Sequence, residues 1–376
     1  MKRKILFVLS VLLIVCFGVS SAVQAQAPIT TRGMHDQLAN KSSSYKSNPY
    51  SIIGNTVTMA PEPLPYKVYL PTVMNGSTSP VLTYGWVTTS SPTTKQLNAI
   101  KMSGGNGWIV GNQGTILAWN GNSWLTVTSP TTNDLQAVTI ISQNDAWSVG
   151  KAGTILHWNG TDWSIVSSPT LNTLESISMI SASDGWAVGD GGVILHWNGA
   201  IWANYSSPTD YDLNSVVLLS PDNGWAVGGK WFDPIIWFHD AILHWNGSSW
   251  ASYPHTDGKD MLESLSFSSI KSGWASGDNN LRTVWNGTTW QPNHPSAGAL
   301  TVSYDVSAVS SSDVWMVGWS YSTTEPLNII HWNGIAWSYS SNPSSPSNVF
   351  YGVWFNSSTD GWAVGDNGVL VHYTSR

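Results

Sequence analysis

Five histidines, His157, His196, His244, His331 and His372, recur at one position of a repeated string. Imidazole is a common metal ligand, but a metal ion needs its ligands converging at about 2.0–2.1 Å. Residues from separate copies of a repeat point into separate spaces, so each histidine reads as a local hydrogen-bonding residue. Gly224-Trp-Ala-Val-Gly-Gly-Lys230 has the spacing of a phosphate loop, but Trp231 stands where a Ser or Thr is required, and the string reads as a strand. Asp210-Tyr-Asp-Leu-Asn214 begins like a calcium loop, but Ser215 replaces the turn glycine and no Glu closes it, leaving an acidic loop. His-Glu-x-x-His, cysteine pairs and Gly-x-Ser-x-Gly are all absent. These residues imply no catalytic centre, no metal and no cofactor.

The aromatic residues carry more information. All 24 tryptophans lie between Trp86 and Trp362. Most recur with the repeat. Trp108, Trp147, Trp186, Trp225, Trp274, Trp315 and Trp362 open a Trp-x-Val-Gly or similar string. Trp119, Trp158, Trp197, Trp245, Trp285 and Trp332 close an Ile-Leu-His-Trp or similar string, with Tyr373 in the seventh place. Trp124, Trp163, Trp202, Trp250, Trp290 and Trp337 follow, and Trp86 has the same spacing to a later proline. Their reading is packing between sheets. Trp354 falls near the axis of the array, and Trp231, Trp237 and Trp319 fall in insertions. One insertion adds Phe232, Phe238 and His239, the other Tyr321. Trp231, Phe232, Trp237, Phe238, Trp319 and Tyr321 are therefore the candidate binding residues, on loops that a rigid scaffold leaves free to vary.

The elements beneath these residues follow from the period. Early copies are spaced by 39 residues, and periods near 40 signal an array or propeller. Each copy holds four strand signals, A to D, with β-branched and aromatic residues at period two. Asp-Gly, Asn-Gly and other glycine turns separate them. The expectation is an all-β, seven-bladed β-propeller of four-stranded antiparallel blades, with repeats starting near 97, 135, 174, 213, 262, 304 and 350. The last copy ends at Arg376 without room for strand D, and the spare strand lies at Tyr84–Ser90. Pairing that N-terminal strand with 369–373 completes the last blade and removes two exposed edges. Both insertions fall between strands B and C, in blades four and six, and so emerge on one face.

The Gly-Trp-Ala-Val-Gly-Asp-x-Gly strings at 185–192 and 361–368 resemble repeats of photosystem II assembly and stability factor-like propellers. Asn159-Gly-x-x-Trp163 is similar to the second half of the Asp-box of bacterial BNR-like proteins, without its Ser-x-Asp start. The resemblance covers about 84–376 and implies a propeller. In the photosynthetic factors it implies an assembly chaperone with a basic surface, whereas this stretch has only Arg282 and Arg376 as arginines. Sialidases share the Asp-box and use three arginines around a carboxylate, a triad two arginines cannot supply.

At the N-terminus, Lys2, Arg3 and Lys4 precede the apolar run Ile5–Val19, and Ala25-Gln-Ala27 offers a cleavage site. Residues 1–27 read as a secretory signal, so the expected location is secreted or at a bacterial cell surface. The lone Cys16 lies within it, leaving no disulfide in the mature chain. Residues 28–80 read as a flexible Ser/Pro-rich linker, with Val68–Val73 able to dock on the body; Val68–Asn75 resembles linkers in secreted proteins of filamentous green bacteria. Without the three signal cations, 12 basic residues face 22 acidic ones. That balance disfavours nucleic acid and anionic membranes and favours a neutral or basic partner. The resulting expectation is a monomeric, non-catalytic propeller without stable membrane insertion, binding a protein or glycan through the insertions of blades four and six. The alternatives are a Trp-rich lectin with one sugar site per blade, and a glycoside hydrolase drawing on the insertion acids Asp233, Asp240 and Glu325.

Overall fold

The computed structural model describes the backbone of residues 50–53, 56–59, 82–232, 237–254, 260–293, 300–320 and 327–376. Residues 2–80 form one unit, whose described part is a hairpin of Tyr50–Ile53 with Thr56–Met59. Residues 81–376 form the other.

That second unit is a seven-bladed β-propeller of four-stranded antiparallel sheets. Blade three shows the pattern. Strand A is Leu174–Ser181, B is Asp184–Gly189, C is Val193–Trp197 and D is Trp202–Tyr205. Strand A of each blade is innermost, because its sheet neighbour is B alone and it packs on the A strands of adjacent blades. The seventh sheet takes its fourth strand from Tyr84–Thr88, which pairs with Leu370–Ser375 in the register Trp86↔Tyr373. Arg376 N–H donates to Thr83 O at 2.7 Å, and its guanidinium donates to Trp86 O.

Tryptophan fills each interface between blades. In all seven, the strand D tryptophan of one blade meets the strand B tryptophan of the preceding blade edge to face. Trp163 meets Trp108 at 5.0 Å and 82°, Trp202 meets Trp147 at 5.7 Å and 75°, and Trp250 meets Trp186 at 5.6 Å and 81°. Trp290–Trp225, Trp337–Trp274, Trp86–Trp315 and Trp124–Trp362 complete the series. Such pairs contribute about 0.5–1.5 kcal/mol each beyond their area. The indole N–H groups of Trp124, Trp163, Trp202, Trp250 and Trp290 are buried without an oxygen acceptor; the aromatic faces beside them are the partners the geometry offers.

The strand B tryptophan also explains the repeated histidine. His196, His331 and His372 stack on Trp186, Trp315 and Trp362, and His157 and His244 lie tilted over Trp147 and Trp225, with centroids 3.8–4.4 Å apart in all five pairs. Each imidazole is bonded through Nε2 to the first residue of strand B: Asp145, Asp184, Asn223, Asp313 or Asp360, at 2.7–3.0 Å. His244, whose partner is the neutral Asn223, is held below the ordinary imidazole value by burial. The histidines are ties within blades, and no group of three or more metal-capable side chains occurs among the described residues.

Nearer the axis, serines of strand A satisfy the next blade's backbone. Ser176 and Ser178 accept from Val216 and Leu218 N–H, Ser215 from Leu265, Ser266 from Ala308 and Ser307 from Phe355, all at 3.0–3.2 Å. An innermost strand has unpaired N–H groups on one edge, and a buried donor left unmet costs about 1–3 kcal/mol, so small hydroxyls alternate with the apolar residues there.

Strands B and C of blades one, two, three and seven are joined by single 3-10 turns. In blade two, Ala152 is left-handed at φ +54° and Gly153 follows at +66°. A Cβ on Gly153 would lie 1.9 Å from Thr170 O, so Gly153 is irreplaceable, whereas Ala152 holds a conformation that favours glycine. Ala152→Gly is expected to raise stability by about 0.5–1 kcal/mol, read as a higher midpoint in urea. A lower midpoint would mean that chain entropy outweighs the backbone strain.

Candidate binding face

The B–C connections and the D–A crossings between blades emerge on one face, since strands alternate in direction. Blade four departs most from its neighbours there. Its strand B runs Asn223–Phe232 and its strand C runs Trp237–Trp245, against Asp184–Gly189 and Val193–Trp197 in blade three. Blade three ends its B–C pairing at Gly189↔Val193. In blade four the equivalent pair is Gly228↔Ala241, and the register continues through Gly229↔Asp240, Lys230↔His239, Trp231↔Phe238 and Phe232↔Trp237. At about 3.4 Å per residue, the ribbon carries the backbone roughly 13 Å further along the strands. Read from sequence, this insertion is a loop. The backbone is strand, because the inserted residues are rich in aromatics that favour an extended ladder.

The foot of the ribbon is tied to the crossing from blade three. Lys230 Nζ donates to Asp210 Oδ2 and sits 5.7 Å from the Tyr211 ring centroid. That hydrogen bond holds the Asp210 carboxyl below, and the Lys230 ammonium above, their ordinary values. Beside it lies an open groove of about 680 Å³. One wall is Ser207–Tyr211; the other is Asp240–Leu243 of strand C with Ser252 and Tyr253. Two carboxylates, Asp210 and Asp240, and two tyrosines line it, a surface suited to a neutral or cationic ligand with apolar groups. Of the string read from sequence as an acidic loop at 210–214, Asp210 and Tyr211 line the groove, whereas Asp212–Asn214 already belong to strand A of blade four, paired with strand B.

The same face holds the mouth of the central channel. Each strand A has a β-bulge near its start, and the bulged residues are Asn98, Gln136, Glu175, Asn214, Glu263, Tyr304 and Tyr351. Bulges re-aim side chains, and here they link blades. Asn98 Nδ2 donates to Leu135 O and Gln136 Oε1, Gln136 Nε2 to Glu175 Oε2, and Asn214 Nδ2 to Leu262 O. Tyr304 and Tyr351 pack at 5.1 Å, and burial raises both phenols well above the usual range. Sequence reasoning missed this ring, although its signal, one polar or tyrosyl column near the start of strand A, directly after an apolar residue in six blades and after Ser303 in blade six, is visible once the repeats are aligned.

Asp190 lies close by. Burial, and then repulsion from Glu175, raise its pKa. A carboxyl whose folded pKa exceeds its unfolded value costs stability above the folded pKa, and the cost fades as pH falls through it. Asp190→Asn should therefore raise the melting temperature at about pH 7.5 by about 1–3 °C and change it little at about pH 3.5. An equal effect at both values would show that ionisation is not the cause.

Of the six residues selected from sequence, Trp231, Phe232, Trp237 and Phe238 occupy the paired positions of the ribbon; their side chains lie outside the described residues. Trp319, half-buried, ends strand B of blade six, paired with Val302, two blades away on the same face. Tyr321 lies outside the described residues, as do Asp233 and Glu325, so of the three insertion acids only Asp240 is placed. Trp354, half-buried in strand A of blade seven, packs on the core between blades seven and one, and the Lys101 ammonium lies 4.0 Å from its indole centroid. Burial lowers the Lys101 pKa against an opposing pull from Asp305. No described helix is long and apolar enough to cross a membrane.

No family model matches the sequence, and no curated protein matches it. The fold has solved relatives. YCF48 bound to D1 peptide superimposes with a TM-score of 0.58 at 18% identity, covering 78% of this chain and 95% of that one. YCF48 from Cyanidioschyzon merolae gives 0.58 at 17% identity, covering 77% and 98%. The WD40 repeats of RRP9 give 0.61 at 11% identity, covering 78% and 100%. At such identities the likeness is one of fold, that of the β-propellers.

Proposed function

We propose that this chain is an exported, non-catalytic propeller that captures a neutral or basic protein segment on its B–C face, along the blade-four groove and its aromatic ribbon. The observation that carries the reading is the groove itself, where Asp210, Asp240, Tyr211 and Tyr253 meet at the foot of the longest B–C hairpin among the described blades. The surplus of acidic residues supports a basic or neutral partner, and the signal-like residues 1–27 support export. YCF48, a propeller solved with a D1 peptide, supports the idea that this architecture can hold a peptide. Trp231, Phe232, Trp237, Phe238, Trp319 and Tyr321 remain the proposed contacts, with the ribbon first among them.

The test is a peptide array of basic, neutral and acidic sequences. The wild-type protein should retain basic or neutral peptides with apolar residues, and a variant whose blade-four ribbon is shortened should not. Retention of acidic peptides alone, or equal retention by both proteins, would overturn the proposal.

A further inference from the structure

The opposite face, where A–B and C–D turns emerge, holds a second opening of about 460 Å³ between blades seven and one. It exists because one turn is short. From the first apolar residue of strand A to the first residue of strand B is nine positions in blade one, Leu97 to Asn106. It is ten in blade two, Leu135 to Asp145. Blade one turns on Gly104 and Gly105, at φ +56° and +87°, the positive values that a two-residue hairpin demands. A Cβ added at either glycine would meet no atom within 4 Å, so the space beside the turn is open.

The lost residue has a chemical consequence. In five blades the strand C tryptophan donates its indole N–H to a carbonyl of its own A–B turn. Trp158 donates to Gln143 O, Trp197 to Ala182 O, Trp245 to Pro221 O, Trp285 to Ile270 O and Trp332 to Ser311 O, at 2.9–3.2 Å. In blade one Trp119 makes ring contacts with Trp124 and Trp362, but its Nε1 has no acceptor among the described residues. Trp119 is half-buried and lines the opening with Gly104 and Gly105.

Across the opening stand Asp360, His372 and Asn356. Asp360 Oδ1 bonds His372 Nε2 at 2.7 Å, and its Oδ2 accepts from Asn356 Nδ2 at 2.7 Å. The carboxylate is held on both oxygens yet 42% exposed, so lone pairs remain for a hydroxyl. Met102 and Trp362 add apolar wall.

We infer that this opening between blades seven and one is a single binding site for a neutral sugar ring. A pyranose has an apolar C–H face for the Trp119 indole, hydroxyl oxygens that accept from its N–H, and hydroxyl protons for Asp360. An anion would meet the Asp360 carboxylate, and the apolar walls of Trp119, Trp362 and Met102 suit a C–H face better than a small hydrated cation. The volume lies within the range of small-molecule sites. One such site, instead of one per blade, follows because the other five strand C tryptophans spend their N–H groups internally.

The experiment uses protein labelled with 15N at its tryptophan indoles, titrated with glucose, galactose, mannose and N-acetylglucosamine into the tens of millimolar. The Trp119 signal is the one missing from Trp119→Phe. With at least one of these sugars it should shift saturably, while the Trp158, Trp197 and Trp245 signals stay in place. A second variant replaces Gly104-Gly105 by Ser-Gln-Asn, the turn of blade two, which restores an acceptor and closes the opening. It should keep its melting temperature and lose the shift. No Trp119 shift with any of the four sugars, equal shifts at several indoles, or a shift that survives the turn replacement would each overturn the inference.

Discussion

A chain lacking residues 83–91 is expected to melt about 15 °C or more below the full chain. The segment supplies the outer strand of the seventh sheet, so its loss leaves Leu370–Ser375 with an exposed edge. It also removes Trp86, which is 1% exposed and packs on Trp315, Phe355 and Tyr373 at 5.4–5.7 Å. The Trp86 indole N–H reaches Ser340 Oγ in blade six at 3.2 Å, so one side chain binds blade six to the strand completing blade seven. Trp86→Ala alone should cost about 3–5 kcal/mol, or about 5–8 °C at this size. Leu82→Ala, at a side chain 57% exposed just before the strand, is the control and should change little. Calorimetric scans of the full chain and the three variants decide it. A deletion that melts with the full chain would show that the first strand adds nothing to the seventh sheet.

Replacing residues 229–240 by Asp-Gly-Gly, the turn of blade three, should abolish peptide capture and leave folding intact. The graft is compatible because the pairs it joins are equivalent: Gly228↔Ala241 in blade four and Gly189↔Val193 in blade three. Below that level the sheet is unchanged, and the buried residues Trp225, Val227, Ile242 and Leu243 keep their contacts. The graft removes the Lys230–Asp210 pair, but both groups sit at the surface, where such pairs contribute little. The expected result is a melting temperature within about 3 °C of the parent, with loss of at least tenfold in affinity for any peptide the parent binds. Asp240→Asn separates charge from shape. It should weaken basic peptides several-fold at low ionic strength and lose that effect at high salt, because charge attraction at an open groove is screened. Full capture by the grafted protein would remove the ribbon from the binding surface.

Much of the architecture was legible because a propeller writes its geometry into a period. Trp186, His196 and Trp202 recur because each blade solves the same packing problem, so the strand count, the blade count and the turn positions could be read along the chain. The candidate face was partly legible. The insertion length marked blade four, but length and aromatic content left loop and ribbon undecided, since a run of aromatics suits both a strand and a binding loop. The bulged column from Asn98 to Tyr351 was missed because a single polar residue at the head of an apolar strand looks like an ordinary strand end.

By itself the sequence determined the repeat, its β character, the strand tryptophans and the absence of a familiar catalytic motif, all properties of local order and spacing. Only the tertiary structure decided what depends on residues far apart. It alone showed histidine stacked on tryptophan and tied to the head of strand B, and serines of one blade meeting the backbone of the next. It alone placed Asp210 and Asp240 on two walls of one groove. The opening between blades seven and one is the clearest case. One residue fewer in a turn is a small difference along the chain, and it matters because the missing carbonyl is the partner that Trp158, Trp197, Trp245, Trp285 and Trp332 find in their own blades. A hydrogen-bond donor acquires or loses its acceptor in space, and no one-dimensional pattern records which.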